Sequence, residues 1–138
     1  MWAVYALAAA VFAAATSILA KIGLVGVNSN LGTAIRTVVV LFMAWGIALG
    51  TGAHRGIPQI SARAWVFLLS SGVATGASWL FFFHALQMGP ASRVVPIDKA
   101  SVVITMLMAF AFLGETMDAK TLIGGLLIAA GTIIIALP

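Results

Sequence analysis

The sequence predicts an all-α membrane protein with five transmembrane helices. Three observations carry this: the composition, five apolar runs of spanning length, and connections too short to hold another domain. The chain has 138 residues, of which 63% are hydrophobic and only 7% charged. A soluble domain carries about 25% charged residues, and one of this size has too few polar groups to cover so much apolar surface.

Each span is recognised by a run of roughly 20 mostly apolar residues, the length that crosses the hydrocarbon core. The first covers about 2–20, with Lys21 and Gly23 as a C-terminal stop. The second covers about 31–49 and the third about 64–86. The fourth covers about 92–113, its start lying at Ser92 or Val95. The fifth covers about 119–137, with Asp118 placed to cap its first turn. The connections "KIGLVGVNSN", "GTGAHRGIPQISAR", "QMGPASR" and "GETMD" are brief. They make sequential spans antiparallel, as in a single compact bundle. The N-terminal run lacks the basic region of a signal peptide and reads as a mature membrane helix.

The same composition excludes several functions. Without cysteine there is no disulfide, thiolate nucleophile or thiolate metal site. The net charge of +4 is scattered and builds no basic face, so no nucleic-acid partner is expected. No catalytic triad, metal-ligand cluster or phosphate loop is present, so neither an enzyme nor a bound metal is expected.

Charge asymmetry is slight. With the N-terminus inside, the inner loops hold Arg55, Arg63 and Lys120, and the outer ends hold Lys21 and Arg93. That bias toward the inside is a single charge. Trp2, Trp45 and Trp65 would share the inner interface, whereas Trp79 lies mid-span. Small-residue rows (Ala6, Ala10 and Ala14; Gly46 and Gly50; Gly72 and Gly76) have the spacing that lets helix backbones approach in lipid. They are expected either to hold one bundle together or to form a dimer face.

The functional candidates are the polar groups inside the spans. Arg36, Asp98, Lys99 and His84 are costly there, the charged ones by about 2.5–3.5 kcal/mol on insertion scales, and such groups face an interior or a water path. Asp98 and Lys99 are adjacent in "VVPIDKASVV". Helical neighbours point about 100° apart, so the two are expected not to pair. Arg36 and Asp98 lie at a similar depth, roughly 8–10 Å below the same side, and are expected to form an ion pair that leaves Lys99 free. Pro96 has two readings. It breaks a helix that began near Ser92 just before Asp98, a device of transporter binding sites. Alternatively, it opens a helix beginning at Val95, and Asp98 then sits on the positive end of that helix. His84 is either a substrate-binding or titrating group or an interfacial polar residue. Trp79, with Phe82 and Phe83, either lines an aromatic cavity or simply packs. Glu115, after Gly114, reads as a structural loop acid.

The segments "AKIGLVGVNSNLGTAIRTVVVLF", "GVATGASWLFFFHALQMGPASRVVPIDKASVVITMLMAFAFLGE" and "LIGGLLIAAGTIII" resemble the EamA domain of the drug/metabolite transporter superfamily. "PIDK" at Pro96–Lys99 and "TAIRT" at Thr33–Thr37 point to its single-domain, five-span bacterial and archaeal branch. The resemblance covers nearly the whole chain. It implies a secondary transporter of small metabolites or drugs, often an exporter, in a prokaryotic inner membrane and without a cofactor. Two-domain relatives carry ten helices as two inverted halves. A five-span chain is therefore expected to work as a homodimer, antiparallel where dual topology holds, and the weak charge bias suits that. Related small multidrug proteins use a glutamate in their first helix, and this first span has no acid. Proton coupling here would have to use Asp98, the one deep carboxylate. A lining of Asp98, Lys99 and Arg36 is net positive and favours anionic or zwitterionic substrates. A non-transporting membrane scaffold or accessory subunit is the alternative.

Overall fold

The structure is a computed structural model that describes residues 1–137. It is 86% helical and, among the described residues, has no strand. Among the described residues, five helical spans are long and apolar enough to cross a bilayer, at Trp2–Gly23, Ser29–Gly50, Ala62–Met88, Ala91–Leu113 and Ala119–Ala136. Helices suit this environment because all their interior backbone groups are satisfied within the segment. Side chains such as Phe12, Phe42 and Phe81 are 73–79% exposed, as lipid-facing residues are.

The first three spans are continuous helices, α1 (Trp2–Gly23), α2 (Ser29–Gly50) and α3 (Ala62–Met88). The fourth is divided into α4 (Ala91–Asp98), α5 (Ala100–Met108) and a π-helical end at Ala109–Leu113. The fifth is α6 (Ala119–Ala136). A 3-10 turn at Ala53–Gln59 occupies much of the link between α2 and α3, an element with no clear signal in its sequence. Local chemistry sets the ends. Asn28 caps α2, its side-chain oxygen accepting from Asn30 N at 2.9 Å. Asp118 caps α6 as expected, accepting from Thr121 N at 2.9 Å. Gly114 (φ 65°) ends the π-helical segment in the left-handed region, where a side chain is disfavoured.

The contacts divide the chain into two compact units, Leu19–Gln87 and the pair of segments Met1–Ile18 and Met88–Pro138. In Leu19–Gln87 the tight packing lies where the end of α1, the start of α2 and the end of α3 meet. Ala20, Leu24, Ser29, Thr33, Phe83 and Leu86 are all buried there. The turn between α1 and α2 folds closely over this core: a Cβ on Gly32 would lie 2.5 Å from a Leu24 methyl. In the second unit, α6 packs on α4 and α5. Gly125 admits Met106, whose Cε would be 2.6 Å from an added Cβ.

The packing within Leu19–Gln87 does not use its small-residue rows. A Cβ built on Gly46, Gly50, Gly72 or Gly76 meets nothing within 4 Å. Close approach within the chain occurs at Gly32 and Gly125 instead. Spacing alone shows that a row exists on a helix but not which way it faces.

Candidate functional site

Two polar constellations lie within the spans, one in each unit. The first is the interruption of the fourth span. Pro90, extended at φ −67° and ψ 137°, starts α4, and its carbonyl accepts from Arg93 N and Val94 N at 3.0 Å. Pro96 is thus inside the helix rather than at its opening. It has no N–H to give the turn before it, and its ring crowds that turn. Just after it the ladder tightens: Lys99 N donates to Pro96 O at 3.1 Å and Val102 N to Lys99 O at 3.0 Å. Lys99 (φ −69°, ψ −6°) is the turn residue, so the interruption follows Asp98 rather than preceding it. From α6, Thr132 Oγ1 donates to the same Pro96 carbonyl at 3.3 Å. That carbonyl therefore has two donors, one from the tightened turn and one from the facing helix.

Asp98 and Lys99 do pair, with Nζ 3.4 Å from Oδ2. The expectation that they would not assumed an ideal helix. Lys99 is outside one, and its four-carbon stem swings back to the carboxylate. Both side chains are partly exposed, at 51% for Lys99 and 36% for Asp98. Arg36, in Leu19–Gln87, has a neighbour of its own.

That neighbour belongs to the second constellation. Ser29, Thr33 and Arg36 recur at i, i+4 and i+7 on α2, one face of the helix. The Arg36 guanidinium lies over the Phe83 ring, 3.9 Å from its centroid. Phe82 meets Phe83 edge to face at 5.2 Å and 72°. Ser29 Oγ and His84 Nδ1 share a hydrogen bond at 3.3 Å. Thr33 and Thr37 turn their hydroxyls back to their own helix, onto Ser29 O and Thr33 O at 2.8 Å. Arg36 Nη1 is buried and meets no acceptor among the described residues.

The ends of α1 and α3 are tied reciprocally around this cluster. Lys21 Nζ donates to Leu86 O at 2.6 Å, and Gln87 Nε2 donates to Leu24 O at 3.0 Å and Val27 O at 2.6 Å. Each bond satisfies a carbonyl that a helix end or turn would leave open. A hollow of about 250 Å³ opens beside them, lined by Lys21, Leu24, Val25, Gly26 and Gln87.

The remaining candidates are placed as follows. Trp79 is half-buried, one turn before Phe83 on α3. Glu115 is exposed after Gly114, its N–H donating to Ala109 O at 3.3 Å in a wide closure of the π-helical end. Sequence reasoning gave no role to Ser29, Gln87 or Thr132. The i, i+4, i+7 polar spacing ending at Arg36 was the available signal for Ser29, while Gln87 and Thr132 left none.

Five apolar spans with polar groups at an interrupted helix define a multi-pass helical membrane protein. The model of the EamA-like transporter family matches residues 1–137, and the chain belongs to that family. It is 44% identical over 135 residues to a protein of Sinorhizobium sp. described as "Uncharacterized transporter in cobO 3'region", covering 98% of this chain and 96% of that one. No solved structure matches the chain. The protein is thus a membrane transporter, which would meet a lipid bilayer and a small-molecule substrate.

Proposed function

We propose that the protein is a secondary transporter that exports small metabolites or drugs across a prokaryotic inner membrane by alternating access. The interrupted fourth span carries this reading. Half-helix ends within a membrane expose backbone dipoles and carbonyls, and transporters use such breaks to hold substrates and coupling ions. Here the break sets Asp98 and Lys99 beside the Pro96 carbonyl. Asp98 is the one carboxylate within a span, because Glu115 and Asp118 lie between spans. It is the proton-coupling group in this reading, and Lys99 is its countercharge. Arg36, His84 and Trp79 contribute to substrate binding.

The working unit in this reading is a homodimer whose two copies insert in opposite senses. The slight charge bias permits dual topology. The open rows Gly46–Gly50 and Gly72–Gly76 offer surfaces for a second copy. The test is flux in proteoliposomes: a proton gradient drives substrate movement in the wild type and not in Asp98→Asn. Unchanged coupling in Asp98→Asn would remove Asp98 from the mechanism. A C-terminal tag found on one side of the membrane in every copy would remove the antiparallel dimer.

A further inference from the structure

Charge is divided unevenly along the chain. All three acids, Asp98, Glu115 and Asp118, lie outside Leu19–Gln87, as do three of the seven bases, Arg93, Lys99 and Lys120. The four remaining bases leave Leu19–Gln87 with the whole net charge of +4 and no carboxylate. Lys21 is at a helix end, bonded to the Leu86 carbonyl. Arg55 lies between spans and Arg63 in the first turn of α3. Arg36 is the cation set within a span, about 10 Å from the start of α2.

Arg36 is held in place but not satisfied. The Phe83 ring, itself 2% exposed, supports one face of the guanidinium. A ring face attracts the cation but accepts none of its in-plane N–H groups as an oxygen does. Arg36 Nη1 is buried without an acceptor among the described residues, and the hydroxyls of Thr33 and Thr37 donate to carbonyls of their own helix. A planar guanidinium held on an aromatic ring presents a rigid fork, the arrangement that matches an oxyanion and above all a carboxylate.

We propose that Arg36, stacked on Phe83, binds the carboxylate of a small organic acid carried by the protein. The Ser29–His84 pair, two turns nearer the start of α2, supplies a second polar contact for the same substrate. This rests on the transport reading and deepens it by naming the substrate chemistry. The +4 segment disfavours lipophilic cations, and the aromatic support favours acids with an apolar body. An anionic lipid phosphate offers the same oxyanion chemistry, so it must be distinguished from a free acid.

The test is thermal unfolding of the full chain in an uncharged detergent, at constant ionic strength, with benzoate, its neutral isostere benzamide, inorganic phosphate or phosphatidylglycerol. Benzoate at millimolar concentration is expected to raise the midpoint by several degrees, by mass action on the folded state. Benzamide is expected to leave it unchanged. Arg36→Gln abolishes the benzoate shift, and Arg36→Lys weakens benzoate by about tenfold because the planar fork is lost. The benzoate–benzamide contrast on the wild type stands even where a variant does not fold. Equal shifts from both probes, no benzoate shift, or a benzoate shift kept in a folded Arg36→Gln each overturn the site. Phosphatidylglycerol that stabilises the wild type and erases the benzoate shift assigns Arg36 to lipid and also overturns it, as does inorganic phosphate outcompeting benzoate. The transport reading fails separately, by absence of gradient-driven flux in wild-type liposomes whose protein still binds benzoate.

Discussion

Arg36 and Phe83 are stacked, the guanidinium carbon 3.9 Å from the ring centroid, and the ring is almost wholly buried at 2% exposure. One side chain thereby serves two purposes: Phe83 fills the junction of α1, α2 and α3 and supports a cation inside a span. Phe83→Ala should cost about 3–5 kcal/mol through lost packing and the cavity it leaves. Phe83→Leu keeps most of the volume and loses the ring, so its excess cost should be the cation–π contribution, about 0.5–2 kcal/mol. Unfolding of both variants in detergent, each repeated in an Arg36→Gln background, isolates that coupling. An additive double mutant would mean that the stack contributes nothing.

Gln87 should contribute to stability although it is exposed overall. Its amide donates to Leu24 O and Val27 O and so holds the turn between α1 and α2 against the end of α3. Gln87→Leu leaves two carbonyls, one part-buried and one exposed, without their donor, at a cost of about 0.5–1.5 kcal/mol for each bond. Gln87→Glu should be no better, because a carboxylate has no N–H to give. Thermal midpoints and proteolysis within the Leu24–Ser29 turn would report the loss. A Gln87→Leu variant as resistant as the wild type would show that the bonds do not hold the turn.

Gly125 has a defined partner. Its missing side chain makes room for Met106, which an added Cβ would approach to 2.6 Å at Cε. The Met106 terminus is flexible, so Gly125→Ala should be mild. Gly125→Ile should cost about 1–3 kcal/mol by overpacking. Met106→Ala should recover part of that cost, and the double-mutant cycle measures the contact. By contrast, Gly46→Ala and Gly72→Ala meet open space within the chain and should leave monomer stability unchanged.

The five spans were legible because bilayer thickness fixes their length and charge is excluded from them. Their ends moved by only a few residues, each for a local reason such as the Asn28 cap or the Pro90 start. Azimuth was not legible. Depth along a span places Arg36, yet it does not say which way a side chain points, so the Phe83 ring beneath the guanidinium left no signal. The Asp98–Lys99 pair is hidden from ideal-helix geometry because Lys99 is the turn residue that ends α4, three residues after Pro96.

Asp118 supplies a pH dependence outside the membrane. The Thr121 side chain and backbone N–H both bond the Asp118 carboxyl and hold it below the ordinary carboxylate range. A lowered folded-state value means that the cap contributes fully above the unfolded value, about 3.9. The contribution is lost as pH falls through the lower folded value. The start of α6 should therefore loosen only in acid, seen as faster hydrogen exchange of Thr121 and Leu122. Asp118→Asn, which also caps, should lack that acid transition, and Asp118→Ala should exchange fast at every pH.

Pro96 is where stability and transport should separate. An interior proline costs a helix about 3 kcal/mol relative to alanine, so Pro96→Ala should let α4 and α5 fuse and raise the thermal midpoint. If the break at Lys99 serves transport, the stabilised variant should move substrate more slowly, because the turn that separates α4 from α5 beside Asp98 is gone. Thr132→Val is the control. It removes one donor to the Pro96 carbonyl, leaves the proline in place, and should cost about 0.5–1.5 kcal/mol. Flux and unfolding measured on the same preparations decide between the two roles. A Pro96→Ala protein that is more stable and transports at the wild-type rate would make the break a tolerated irregularity rather than a working part.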